Sequence, residues 1–347
     1  MPREVMSTFG ELYPNKVWSQ DYRLCLYREI IAYMHDTTRD WNADPLPDQS
    51  GWRAIVTGAN SGTGYETARM LASCGADVVM ACRNLSSAHA AAREITTEYP
   101  KVRIDVVELD LSSLASVARA AEEIRDRYKS IDLLFNNAGV MWTPLGRTVD
   151  GFETHIGVNH LGHFAFTAQI LDRMLRVPDS RIVTMTSVLH RAGQIHFTDL
   201  NLERRYRPTR AYNQSKLANL MFAYALQDWL QHNDAKTISV AAHPGLAATA
   251  LFRHVQSEVT GFAHTAIATM FHGAREGALP SVRAATDPDE TGGHCYGPAG
   301  ILQLRGSPRR VATSSRARRR APQRLLWRAS ENLTDTRYAR RVHSRRG

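Results

Sequence analysis

Trp52-Arg53-Ala54-Ile55-Val56-Thr57-Gly58-Ala59-Asn60-Ser61-Gly62-Thr63-Gly64 decides the fold. Residues 52–57 form a short apolar run of strand length, and residues 62–74 carry a helical pattern that Gly75 ends. Between them lie Gly58, Gly62 and Gly64. Glycine lets a chain turn tightly after a strand and bring its backbone close to a pyrophosphate, which then rests on the unpaired N–H groups of the helix start. The spacing G-x-x-x-G-x-G differs from the commoner G-x-G-x-x-G. In a strand–turn–helix setting it still points to a dinucleotide.

The same alternation continues outward. Strands are expected at residues 77–82, 102–109, 131–136, 181–186 and 238–242, with a short seventh near 294–296. Helices are expected at 86–99, 114–128, 152–175 and 212–229. Strands separated by helices of this length specify a parallel sheet covered on both faces. The fold class is therefore α/β, a single doubly wound Rossmann domain with a mostly parallel sheet of about seven strands. Its expected limits are 51–304. Residues 1–50 form an appendage and linker, with a short amphipathic helix at 22–34 and a Pro/Asp-rich connector at 42–50. Residues 246–278 mix Phe, Val, Ile and Met with small residues, a pattern that fits two short helices over a cleft or ordinary surface helices.

Composition sets the outer bounds. The chain has 347 residues, 43% hydrophobic and 22% charged, as an ordinary globular protein does. No run of 18 apolar residues and no secretory-type N-terminal apolar region is present, and Cys25, Cys74, Cys82 and Cys295 lack metal-like spacing. Reduced thiols and a cytoplasmic location are the expectation. The formal charge of +9 is uneven: residues 305–347 hold 14 Arg against Glu331 and Asp335, so the body is mildly acidic. That tail is expected to be solvated, with a helix at 323–334. Contact of the tail with nucleic acid or a membrane is the weaker reading.

Each strand end offers a chemical group. After the second strand comes Ala81-Cys82-Arg83-Asn84, with no acid to hold ribose hydroxyls, and Arg83 suits a 2′-phosphate; NADP is favoured over NAD. Asp110 follows the third strand and can accept from an adenine amino group or cap the next helix. Asn136-Asn137-Ala138-Gly139 ends the fourth strand at the edge where ligands bind in open α/β sheets. Tyr212 and Lys216 stand four apart, so on a helix the phenol and the ammonium share a face. A neighbouring cation lowers a phenol's pKa. His160, His163 and His190 have no acid or thiol at ligand spacing, so no metal is assigned, and packing and hydrogen bonding are expected of His160 and His163.

Together these motifs resemble the short-chain dehydrogenase/reductases: TGANSGTG, NNAG, Ser187, the Tyr212/Lys216 pair and His243-Pro244-Gly245 stand in that family's order. The blocks ACRN, GVNHLGHF and AYNQSKLANL resemble its retinol-dehydrogenase-like and protochlorophyllide-reductase-like branch. The resemblance implies an NADP(H)-dependent oxidoreductase acting on a hydrophobic carbonyl or alcohol, with a homo-oligomer left open. It makes Tyr212 the general acid/base, Ser187 the holder of the substrate oxygen, and Lys216 the group that lowers the tyrosine pKa and binds the nicotinamide ribose. Asn159 would hold a water linking Lys216 to solvent. Gly58, Asn60, Ser61, Gly62, Thr63 and Gly64 would cradle the cofactor. Arg83, Asp110, Asn137, Ala138 and Gly139 would line its length, with Tyr212 and Lys216 beside it and Pro244, Gly245 and Thr249 closing over the nicotinamide. Thr63 departs from the usual branched aliphatic residue, and Ser61 from a second basic one. The competing reading is a dinucleotide-binding sensor or scaffold with an anion-binding tail.

Overall fold

Residues 46–245 and 273–338 are described by the computed structural model of the chain. The expected alternation is there: β1 (Arg53–Thr57), α1 (Gly62–Ser73), β2 (Asp77–Cys82), α2 (Leu85–Glu98), β3 (Ile104–Glu108), α3 (Leu114–Arg127) and β4 (Leu133–Asn136). A π-helical turn (Ile156–Leu161) leads into α4 (Gly162–Ile170), followed by β5 (Arg181–Met185). Then come α5 (Pro208–His232), β6 (Ile238–Ala242), α6 (Ala274–Thr286), β7 (Cys295–Pro298), β8 (Pro308–Arg310) and α7 (Arg320–Thr334). The strand order is β3-β2-β1-β4-β5-β6-β7-β8, parallel up to β7. The order reverses direction between β1 and β4, which opens a crevice at the carboxyl ends of those strands.

Period-two alternation explains both cores. Ala54 and Val56 of β1 join Val78 and Met80 of β2 and Leu133 and Phe135 of β4 under α1, α2 and α6. Ile55, Val79 and Leu134 point the other way, toward α3, α4 and α5. Strands apolar at every position need cover on both faces, and the helices supply it. Local signals place the helix starts. Asn84 accepts from Ser87 N at 3.0 Å and Ser113 from Ser116 N at 3.3 Å, while Pro208 occupies the first turn of α5.

Three expectations need correction. The sheet has eight strands: β8 pairs antiparallel with β7, Tyr296 opposite Arg310. The helix expected over 152–175 is broken into the π-helical turn, α4 and a 3₁₀ turn at Leu171–Arg173. The tail is not a solvated end over its described part. Leu326 and Tyr338 are buried, and Trp327 packs 4.4 Å from Tyr338 and 5.3 Å from Phe164, ring centre to ring centre. Tyr338 Oη donates to the Phe164 carbonyl at 3.0 Å. The rings of Phe164 on α4, Phe222 on α5, Trp327 on α7 and Tyr338 just beyond it form one cluster, and their burial offsets the exposure of the neighbouring arginines. The expected helix at 22–34 and the segment 246–272 lie outside the described residues. Among the described residues no helix is long and apolar enough to cross a membrane.

Candidate active site

At the carboxyl edge of β1, Gly58 has φ +66, and a Cβ on Gly64 would lie against the Gly58 carbonyl and the Asn137 amide. Only glycine fits either position. Ser61, Gly62 and Thr63 start α1, whose first turn has no side-chain cap and no acid, so its N–H groups face outward. The neighbouring loop is tied in by Asn60 Nδ2 donating to Ser87 Oγ at 3.0 Å. Arg83 is exposed beside it, and residues 81–84 carry no acid of their own. Asp110 does not cap α3, since Ser113 does. One of its oxygens, Oδ1, accepts from Ser112 N and Oγ at 2.9 and 2.7 Å. Thr63 Oγ1 donates to Asn137 Oδ1 at 3.2 Å, so the unusual residue exchanges apolar packing for a polar tie.

Thr57 organises the centre. Its buried Oγ1 accepts from the backbone N–H groups of Asn137 and Ala138, each at 2.9 Å, and lies 2.9 Å from His163 Nε2. His163 Nδ1 donates to the Asn159 carbonyl at 3.0 Å, which leaves Nε2 as an acceptor for the Thr57 hydroxyl. Burial pushes the His163 imidazole down to about 4, consistent with this neutral form. Asn159 Oδ1 accepts from Val140 N at 2.8 Å, and Nδ2 donates to Val140 O and Ser215 Oγ at 3.0 and 2.9 Å. A Cβ on Gly139 would fall 3.1 Å from Asn159 Oδ1 and 3.5 Å from Lys216 Nζ, so that glycine keeps a cradle open beside both groups. These residues fit a dinucleotide laid from Arg83 across α1 to Gly139.

Ser187 stands two residues past β5, and Tyr212 and Lys216 project from α5; all three are buried. His155 packs edge-on to the Tyr212 ring at 6.2 Å. Burial pushes the Tyr212 phenol up to about 12, and the nearby Ser187 side chain pulls the other way. The Lys216 ammonium, pushed down by burial to about 8, donates to Met185 O at 3.3 Å and lies 5.8 Å from the tyrosine ring centre. The expected lowering of the phenol by the lysine is therefore not what these atoms show. Loss of hydration dominates, and Nζ is turned toward a carbonyl. Pro244 and Gly245 follow β6 at the same edge, while Thr249 lies outside the described residues.

Several groups escaped the sequence reading. Glu153 and His155 form a buried pair at 2.7 Å, with Thr143 N donating to His155 Nε2 at 3.3 Å. Thr57, a hydroxyl closing an otherwise apolar strand, was the available signal for the central network. His160 packs on Phe164 and bonds Ser330 of α7 at 2.9 Å, the structural role expected of it. No group of three His, Cys, Asp or Glu among the described residues could hold a metal.

Comparison with known proteins agrees with this geometry. A family model described as short chain dehydrogenase matches residues 53–260. The chain is 39% identical to retinol dehydrogenase 12 of Homo sapiens over 288 residues, covering 82% of this chain and 86% of the relative. It is 42% identical to human retinol dehydrogenase 13 over 222 residues, 64% and 66% of the two chains. A crystal structure of an uncharacterized protein from Mycobacterium Paratuberculosis superposes with TM-score 0.72 at 39% identity, covering 87% of this chain and all of that one.

Proposed function

The chain belongs to the short chain dehydrogenase family, in the branch similar to retinol dehydrogenases, and from that premise we propose an NADP-dependent oxidoreductase that uses Tyr212 as general acid/base on a hydrophobic carbonyl or alcohol. The observation that carries this is the shared burial of Ser187, Tyr212 and Lys216 at the strand edge, where Gly139 leaves room beside Lys216. When bound, the nicotinamide supplies or takes the hydride.

The chain's own residues do the rest. Tyr212 keeps its proton at neutral pH, as any phenol does, and burial raises its pKa further, so in the reducing direction it is ready to donate to a substrate oxygen. Ser187 Oγ, held by the Leu189 N–H at 3.2 Å, is set to share that oxygen. Lys216 and the Asn159 side chain, fixed on Val140 and Ser215, would hold the nicotinamide ribose and the local water path. The Arg83 guanidinium would pair with the 2′-phosphate, and the N–H groups of α1 would take the pyrophosphate. The apolar substrate class is supported by the relatives' naming for retinol. It is also supported by exposed Leu145 and Phe197 on the loops after β4 and β5. The first loop reaches the tyrosine through Thr143 and His155, and the second is tied to α5 by His196 N donating to Gln214 Oε1 at 2.9 Å.

The test is NADPH oxidation by the full chain across aldehydes and ketones, with NADH in parallel. Tyr212→Phe should lose turnover by about a hundredfold to ten-thousandfold, with NADPH affinity within a few-fold. Retained turnover in the phenylalanine variant would remove Tyr212 from the mechanism, and a preference for NADH would remove Arg83 from cofactor choice.

A further inference from the structure

Two turns, one after Ser187 and one at Pro244–Gly245, are each joined to the distant segment 303–316 through a buried histidine. His190, fully buried, lies with Nδ1 2.6 Å from the Ser187 carbonyl, and its Nε2 accepts from the Ser314 N–H at 3.2 Å. A carbonyl only accepts and a backbone N–H only donates, so a single neutral tautomer satisfies both contacts. Burial and the neighbouring Arg191 push this imidazole down to about 3, so it stays neutral throughout the working range.

His243 makes the parallel tie with the opposite tautomer. It accepts from the Gly245 N–H at Nδ1, 3.2 Å, and donates from Nε2 to Gln303 Oε1 at 2.9 Å. Gln303 passes the bond on to the Ala312 carbonyl at 3.1 Å, which also accepts from Arg191 Nη2 at 3.1 Å. Arg316 closes the set by donating to the Gly193 carbonyl at 3.2 Å. Two active-site turns, one at Ser187 and one at Pro244–Gly245, are thus pinned to one C-terminal strap.

We propose that His190 is a positioning residue: by clamping the Ser187 main chain to the strap at Ser314, it sets the Ser187 hydroxyl toward Tyr212. The C-terminal segment is then part of the active-site machinery. The inference rests on Ser187 and Tyr212 acting as proposed above. A misplacement of about 1 Å in a reacting group can cost roughly a hundredfold in rate while leaving binding nearly intact.

The experiment uses the full chain with three variants. His190→Leu breaks both contacts. Ser314→Pro removes the strap's N–H donor together with the Ser314 Oγ that accepts from Arg316 N at 3.3 Å, at a position whose φ of −55° suits the proline ring. His190→Asn keeps a donor near the Nδ1 position for the Ser187 carbonyl. His190→Leu and Ser314→Pro are expected to lose about tenfold to a hundredfold in kcat, with KM for NADPH within about threefold and partial recovery in His190→Asn. Independently of any substrate, amide hydrogen exchange should quicken in the peptide spanning residues 186–193 in both damaging variants, with the peptides of 53–108 unchanged. Wild-type exchange at 186–193, or exchange that quickens evenly along the chain, would overturn the clamp. So would kcat within twofold of wild type at a lowered melting temperature. If the wild-type chain oxidises no NADPH with any carbonyl, the functional reading fails and the exchange result still decides the clamp.

Discussion

The β1–β4 edge and the C-terminal segment 303–338 reach the same active site by different physical routes. At the β1–β4 edge, short-range chemistry does the work. Glycines with no room for a Cβ, an uncapped helix start and a threonine hydroxyl close a cradle within a few residues of each strand end. In the C-terminal segment no such signature exists. Its position depends on Trp327 and Tyr338 meeting Phe164 and Phe222, on β8 meeting β7, and on His190 and His243 reaching the strap. One region is specified by what a backbone can do locally, the other by what it finds when it arrives.

Breaking the second region should cost the most stability. Trp327→Ala removes an aromatic that touches three others, and the expected loss is about 3–5 kcal/mol in urea unfolding of the full chain. A loss under about 1 kcal/mol would return the segment to the status of an appendage. It follows that cutting the chain after residue 304 would remove a strand and a core helix, so it cannot serve as a clean test of a basic tail.

A smaller effect concerns the turn before β7. Glu290 has a fully buried side chain. Burial raises its pKa, but bonds from His294 and Tyr296 at 2.7 and 2.6 Å and from Gly292 N outweigh this and hold the carboxyl at about 2. A folded-state value below the unfolded one means the folded chain binds fewer protons. The stabilisation is therefore full above about pH 4.5 and is lost as pH falls toward 2, amounting to roughly 3 kcal/mol. Glu290→Gln should flatten that stretch of an acid unfolding curve. An unchanged slope would show the cluster to be solvated.

The smallest effect sharpens the first region. Arg83→Ala should weaken NADPH binding by about tenfold to a hundredfold and leave NADH binding nearly unchanged, as expected for loss of a charge-assisted pair. Equal weakening of both cofactors, read by nicotinamide fluorescence, would place Arg83 away from the 2′-phosphate.

Much of this was legible in advance, and the misses share a cause. The strand ends bearing Gly58, Asn137 and Ser187 were readable because local backbone rules tie each motif to its strand. The pairing of Tyr212 with Lys216 followed from helical spacing alone. The state of that pair did not, because a phenol's pKa depends on how much water the fold removes, and here burial prevails over the lysine. The Arg-rich composition of 305–347 masked its apolar stripe, since counting charge ignores which face of a helix meets the core.

The sequence by itself determined the alternation of strand and helix, the doubly wound sheet and the residues at its carboxyl edge. Periodicity and glycine chemistry act over a few residues, and they need no knowledge of distant neighbours. Only the tertiary structure decided that an eighth strand and a final helix complete the body. Only it decided that Thr57 and His163 wire the cradle to Asn159, and that His190 fastens Ser187 to Ser314. The Thr57–His163 and His190–Ser314 contacts each span more than a hundred residues, and buried polar groups reveal such partners only once the chain has closed around them.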